Sequence, residues 1–227
     1  MKGLILKDIY GCRFQIIGAL AIMLLPMLIF GLAGGGMAVD GRENDKLPEG
    51  ISFILYGTAN YVSIVICSSF YLNTLKYDET CGWTKIQRVM PLSGGQIIGG
   101  KFLGAALTVG ILTLMSVVFN TLSAFVFEIN YEPMIVIPIC LGLLELVIML
   151  PAVVVGYRFG SKTVTAVYIS LLVMVSAVII VVTVLFMNSH IGIRAMRLIV
   201  YGVIPAITAA VTVICVKIGK RAVMVDI

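Results

Sequence analysis

Residues 91–101, PLSGGQIIGGK, combine two patterns that are associated with nucleotide chemistry. Residues 92–96 spell LSGGQ, the signature of one class of ATP-hydrolysing domain, and residues 95–101 follow the G-x-x-x-x-G-K skeleton of a phosphate-binding P-loop. In a P-loop, a serine or threonine directly after the lysine ligates Mg²⁺. Here Phe102 follows Lys101, and no apolar strand leads into the motif. The sequence therefore argues against a nucleotide site in this segment.

The same residues are explained by the beginning of a helix. Ser93 is suited to the N-cap position and Gln96 to the N3 position of a capping box, and Leu92 and Ile97 form the hydrophobic staple around it. We expect LSGGQ to start a helix, and we expect this chain to hold no cofactor. We also expect no metal site, because the chain has one histidine and no C-x-x-C pair among its five cysteines.

The composition indicates a membrane protein. Of the 227 residues, 60% are hydrophobic and 12% are charged, whereas a soluble domain carries about 25% charged residues. A spanning helix needs roughly 20 apolar residues. Six runs meet this requirement, at about 15–37, 52–75, 97–127, 134–157, 164–187 and 198–216. The connections are short, so we predict that residues 1–227 form one all-α domain with six transmembrane helices.

The basic residues predict the orientation of these helices, because cytoplasmic loops are enriched in Lys and Arg. If the N-terminus lies inside, most of the 16 basic residues fall on the cytoplasmic side. Both termini of this multi-pass cell-membrane protein are then cytoplasmic. The topology accounts for the net charge of +5, so no nucleic-acid partner is implied. The outer segment 188–197 is an exception, since it carries His190, Arg194 and Arg197.

The N-terminal sequence MKGLILKDIYGCRF predicts an amphipathic helix over residues 2–13. A helix of this kind lies in the inner interface of the membrane, with its charged face towards water. The apolar stripe comprises Leu4, Ile5, Ile9 and Cys12, and the charged face comprises Lys2, Lys7, Asp8 and Arg13.

Residues 77–92 predict a second short amphipathic helix, between the second and third spans. Trp83, Ile86 and Met90 are spaced i, i+3, i+7, and Lys85 and Arg88 lie on the opposite face. Residues 78–80 are helix start signals, and Pro91 is a stop signal. This segment either rests on the membrane interface or inserts its tryptophan into a partner protein.

These features resemble the ABC-2 type permeases, the membrane subunits of bacterial ABC exporters, and particularly the small six-span members that pair with a separate ATPase. The resemblance lies in the opening MKGLILKDIY, in DETCGW followed by MPLS and IIGGK, and in the six-span layout. It implies that residues 77–92 are a coupling helix, with Trp83, Lys85, Ile86, Arg88 and Met90 as its ATPase-coupling residues. In such proteins the N-terminal helix also touches the ATPase, and the outer loop corresponding to residues 188–197 often folds back into the membrane edge.

The resemblance also defines the expected partners. The chain itself is not expected to be an enzyme, because ATP and Mg²⁺ bind in a separate cytoplasmic ABC ATPase subunit. A second permease subunit, either identical or paralogous, completes the transporter in the lipid bilayer.

Polar residues concentrate in the second predicted span, where Asn60, Ser63, Cys67 and Tyr71 recur near helical spacing. Helices that face only lipid rarely carry such residues, because polar groups in hydrocarbon need partners. One interpretation is a wetted face along the substrate pathway, to which the resemblance adds Ser176 and Thr183 of the fifth span. The alternative is hydrogen bonding between helices.

Glu145 is the one ionisable residue in the middle of a predicted span. A charge at the bilayer centre costs about 2.5–3.5 kcal/mol on insertion scales, so such residues usually face the interior of the bundle. Three roles stay open: a protonated structural hydrogen-bonding group, a contact for a cationic substrate, or a proton relay.

The sequence therefore predicts the permease subunit of an ATP-driven exporter that moves an amphipathic or hydrophobic compound, such as a peptide or drug, out of the cell. The alternative is a stand-alone secondary transporter that uses Glu145 for proton coupling. Each hypothesis predicts a different energy source, namely ATP hydrolysis by a partner or a proton gradient alone.

Overall fold

The computed structural model of the protein describes residues 2–11, 13–14, 17–18, 21–22, 24, 49–83, 86, 93–127, 131–188 and 199–224. Within these ranges the chain is helical almost throughout and contains no strand, which confirms the all-α prediction for the part described. The helices are α1 (Lys2–Gly11), α2 (Glu49–Thr80), α3 (Gly94–Phe127), α4 (Tyr131–Phe159), α5 (Ser161–Asn188) and α6 (Ile204–Met224). A π-helical turn, Ile199–Val203, leads into α6.

Four of the described helices are long and apolar enough to cross a membrane, namely Gly94–Leu122, Ile135–Phe159, Ser161–Val178 and Tyr201–Arg221. They fall in the third to sixth predicted spans. The second predicted span, 52–75, lies within α2, a helix of 32 residues that is not among these four. Most of the first predicted span, 15–37, and residues 189–197 lie outside the described part of the chain.

Helix α4 occupies the centre of the described bundle, since α2, α3, α5 and α6 all pack against it. Its stripe of Pro138, Gly142, Glu145, Met149 and Ala152 is buried. Small residues on such a stripe allow neighbouring helices to approach closely. At Gly142, for example, an added Cβ would clash with the Thr113 hydroxyl of α3. The packing of α3 against α4 therefore requires glycine at this position.

The outward faces of the bundle are apolar. Leu114 and Phe125 of α3 and Met174 of α5 are each more than 60% exposed in the isolated chain. A soluble protein rarely leaves so much apolar surface in water. In a bilayer the same side chains contact lipid or another subunit.

The C-terminal end of α2 is attached to the turn between α4 and α5. Gly160 alone separates these two helices, and its φ of +88° lies in the left-handed region that favours glycine. The Ser161 N–H, at the beginning of α5, donates to Glu79 Oε2 at 2.8 Å. Hydrogen bonds from the side chain and the backbone of Ser161 lower the pKa of Glu79. Glu79 thus satisfies a free N–H group at the start of α5.

The connection from α2 to α3 begins later than the sequence predicts. Helix α2 continues through Thr80, so the first four residues of segment 77–92 belong to α2. The chain turns at Cys81 and Gly82, where Gly82 has a φ of +69°. Trp83 and Ile86 beyond this turn are helical.

Candidate functional site

The LSGGQ residues form the predicted capping box. The Gln96 N–H donates to Ser93 Oγ at 3.3 Å, and the Ser93 N–H donates to Gln96 Oε1 at 2.9 Å. These are the two reciprocal hydrogen bonds of a capping box, and α3 begins at Gly94. The structure therefore confirms that this motif starts a helix, α3, whereas Leu92 of the predicted staple lies outside the described residues.

Lys101, the lysine of the P-loop pattern, is engaged in ion pairs. Its Nζ donates to both carboxylate oxygens of Asp8 at 2.8 Å and to Asp78 Oδ2 at 2.7 Å. The Lys101 side chain is only 2% exposed. A P-loop lysine must reach the phosphates of a nucleotide, and this side chain instead lies between two carboxylates.

Four charged residues, Lys7, Asp8, Asp78 and Lys101, make up what we call the ion cluster. Lys7 pairs with Asp78 and is 34% exposed, while the Asp78 side chain is 1% exposed. The cluster joins α1, the C-terminal end of α2 and the first turns of α3. Its two positive and two negative charges balance, which is the condition for burying such groups.

Tyr71 completes the surroundings of the ion cluster. It is fully buried, and its hydroxyl group lies 2.8 Å from the Lys101 carbonyl oxygen and 3.2 Å from Asp8 Oδ2. The sequence predicts Tyr71 on a polar face of the second span and Asp8 on the water-facing side of α1. In the structure both lie inside the junction of α1, α2 and α3.

Trp83, the leading residue of the predicted coupling segment, packs against α1. Lys7 Nζ lies 4.8 Å from the centroid of the Trp83 ring, within the range of a cation–π contact. The Trp83 side chain is partly buried, and its Nε1 has no hydrogen-bond partner among the described residues. Ile86 is 44% exposed. Lys85, Arg88 and Met90 lie outside the described residues.

Several polar residues of α2 bond to neighbouring helices. Asn60 is buried; its Nδ2 donates to Asn120 Oδ1 of α3 at 3.1 Å, and Ser116 Oγ donates to Asn60 Oδ1. The Ser176 hydroxyl of α5 lies 2.6 Å from the Tyr61 hydroxyl of α2. Hydrogen bonding between helices accounts for these contacts. The side chains of Ser63, Cys67 and Thr183 are outside the described part, and a pathway role for all these residues stays a prediction.

Glu145 lies in the interior of the bundle, as predicted, with 2% exposure. Its Oε1 accepts hydrogen bonds from Ser68 Oγ of α2 and from Tyr168 Oη of α5, the latter at 2.7 Å. Its Oε2 has no partner among the described residues. Over the same residues, no group of three or more His, Cys, Asp or Glu side chains is placed to hold a metal ion.

The described helices, four of which are long and apolar enough to span a bilayer, define a multi-spanning membrane protein. The family described as ABC-2 family transporter protein matches residues 3–219, and the chain belongs to this family. Comparisons with curated proteins and with solved structures gave no match. Members of the family are membrane components that work with an ABC ATPase, and no ATPase domain is evident in this chain.

The purified chain, without any ATPase, is expected neither to bind nor to hydrolyse ATP. Ser93 and Gln96 are engaged in the capping box and Lys101 in the ion cluster, so these three side chains are not available to bind phosphate. Equilibrium binding of labelled Mg-ATP in detergent checks this expectation. Saturable binding at micromolar concentrations that Ser93→Ala removes would contradict it.

Proposed function

We propose that this chain is the permease subunit of an ATP-driven ABC exporter that moves an amphipathic or hydrophobic compound, such as a peptide or drug, out of the cell. Membership of the ABC-2 family supports the permease role. The observation that carries the coupling part of the proposal is the ion cluster, because it joins the helices on both sides of the α2–α3 connection.

The α2–α3 connection is proposed to receive the movement of the ATPase. Asp78 lies just before this connection and Lys101 just after it, and the two side chains are in contact at 2.7 Å. Displacement of the connection by a partner then moves α2, α3 and α1 together. In this proposal Trp83, Lys85, Ile86, Arg88 and Met90 contact the ATPase, and ATP and Mg²⁺ bind only there.

The cytoplasmic side is assigned to the end of the bundle that holds this connection. A Cβ on Gly95, at the start of α3, would lie 3.2 Å from Lys220 Cε of α6, so the end of α6 adjoins the start of α3. Basic side chains are exposed at this end of the bundle, as the positive-inside rule requires. They are Arg158, Lys162, Lys217, Lys220 and Arg221.

The complete exporter is proposed to contain two permease subunits and two ATPase subunits. Helices α2 and α5 border the pathway, as the family resemblance implies, and the Tyr61–Ser176 contact at 2.6 Å joins them. Asn60 and Tyr71 are buried and bond to α3, so we assign them to holding α2 in place beside the pathway. Ser63, Cys67 and Thr183 are proposed to line the pathway itself.

The energy source of transport distinguishes this proposed exporter from a secondary transporter. Vesicles are prepared with the chain alone, with its partner ABC ATPase, and with a hydrolysis-deficient form of that ATPase, and all are loaded with a lipophilic fluorescent dye. We expect the chain and ATPase to copurify, and dye transport to need ATP and the active ATPase. Transport by the chain alone under an imposed proton gradient, lost in Glu145→Gln, would contradict the proposal and support the secondary transporter.

A further inference from the structure

A buried carboxyl group that has no cationic partner among the described residues lies where α2, α4 and α5 meet. Glu145 of α4 is 2% exposed, and the two groups that bond to its Oε1 come from the other two helices, Ser68 from α2 and Tyr168 from α5. The second carboxyl oxygen, Oε2, is buried and has no hydrogen-bond partner among the described residues. The ATP coupling proposed above does not use this group.

Hydroxyl groups, and no charges, face this carboxyl in the described helices. Ser68 is the contact on α2 and Tyr168 the titratable contact on α5, with Tyr61 of α2 close to Tyr168. The ion pairs found among the described residues all belong to the ion cluster. A buried carboxylate needs a cation or enough donors for both of its oxygens. Two hydroxyl groups on one oxygen do not meet this requirement.

If Glu145 is a neutral acid, the same contacts can form and each hydroxyl group still has an acceptor for its proton. Ser68 Oγ lies 3.0 Å and Tyr168 Oη 3.3 Å from the Val65 carbonyl oxygen, so each hydroxyl has a second acceptor. A proton on Oε1 is donated to one hydroxyl oxygen, and that hydroxyl donates its own proton to the Val65 carbonyl. The other hydroxyl still donates to the acid. A neutral carboxyl also avoids the cost of a buried charge.

We propose that Glu145 is a proton-binding site inside the bundle, and that its carboxyl group carries a proton when α2, α4 and α5 are packed as they are here. Because the hydroxyl groups belong to two other helices, movement of either helix changes the surroundings of the proton. Proton binding at Glu145 is thereby linked to the packing of α2 and α5. This inference is independent of the energy source of transport.

Infrared difference spectroscopy of the full-length chain in lipid bilayers tests the proposal. At neutral pH the wild-type spectrum should contain the carbonyl stretch of a neutral carboxylic acid that is sensitive to D₂O, and Glu145→Gln should remove this band. Ser68→Ala and Tyr168→Phe each remove one hydroxyl contact and should shift the band without abolishing it. These two variants keep the test valid should Glu145→Gln not assemble.

Ser170→Ala on α5 is the matched control, because Ser170 is exposed and its hydroxyl donates to the Ala166 carbonyl of its own helix at 2.8 Å. This variant should leave the band unchanged. The proposal is overturned if the wild type minus Glu145→Gln spectrum shows only carboxylate bands at neutral pH. It is also overturned if neither Ser68→Ala nor Tyr168→Phe shifts the neutral-acid band.

Discussion

Lys101→Met is expected to destabilise the assembled chain by about 3–5 kcal/mol, because it leaves two buried carboxylates without their shared cation. Lys101 Nζ contacts both Asp8 and Asp78 at 2.7–2.8 Å. Methionine fills a similar volume, so the loss reports the missing charge and hydrogen bonds more than a cavity. Unfolding of the purified protein in mixed micelles of increasing denaturing-detergent content measures the change.

Two comparisons test whether the ion cluster causes the loss of stability in Lys101→Met. Lys76→Met replaces an exposed lysine of α2 and should change stability by no more than about 0.5 kcal/mol. Adding Asp8→Asn and Asp78→Asn to Lys101→Met removes both buried carboxylate charges, leaves only the partly exposed Lys7, and should recover part of the lost stability. Wild-type stability in Lys101→Met, or a triple variant less stable than the single one, would contradict the role given to the cluster.

The capping box was predictable from sequence, whereas the ion cluster was not. Both partners of the capping box lie three residues apart, so local helix chemistry determines their contact. Lys101 and Asp8 are separated by 93 positions. The local sequence already accounts for each residue, Asp8 as part of the charged face of the N-terminal helix and Lys101 as part of the P-loop pattern. Asp78 resembled a helix start signal, yet it lies inside α2, where its ion pairs with Lys7 and Lys101 outweigh the local preference.

The burial of Glu145 was predictable, whereas its partners were not. An ionisable side chain within a long apolar run must face protein, because lipid offers it no partner. The two hydroxyls that contact it come from residues 77 and 23 positions away, and hydroxyl groups occur on several turns of α2. The function of the polar face of α2 could not be predicted either, because a substrate pathway and a helix–helix interface use the same residue types.

Trp83→Ala is expected to weaken association with the partner ATPase by roughly 30- to 1000-fold, which corresponds to about 2–4 kcal/mol for the loss of an aromatic anchor. The structure adds a reason for this effect. The indole ring lies 4.8 Å from Lys7 Nζ, so it also fixes the position of the segment that presents Ile86. Lys85→Ala removes a charge predicted at the rim and should have little effect.

Binding of the ATPase to immobilised wild-type and variant chains in detergent measures this prediction, together with ATP hydrolysis by the complex. Trp83→Phe keeps an aromatic ring opposite Lys7 and should retain most of the affinity, whereas Ile86→Ala should lose affinity without disturbing that contact. Equal binding by wild type and Trp83→Ala, with unchanged ATP hydrolysis, would contradict the prediction. In that case the ring of Trp83 would serve to pack the α2–α3 connection against α1 and the membrane interface, and the ATPase would dock elsewhere.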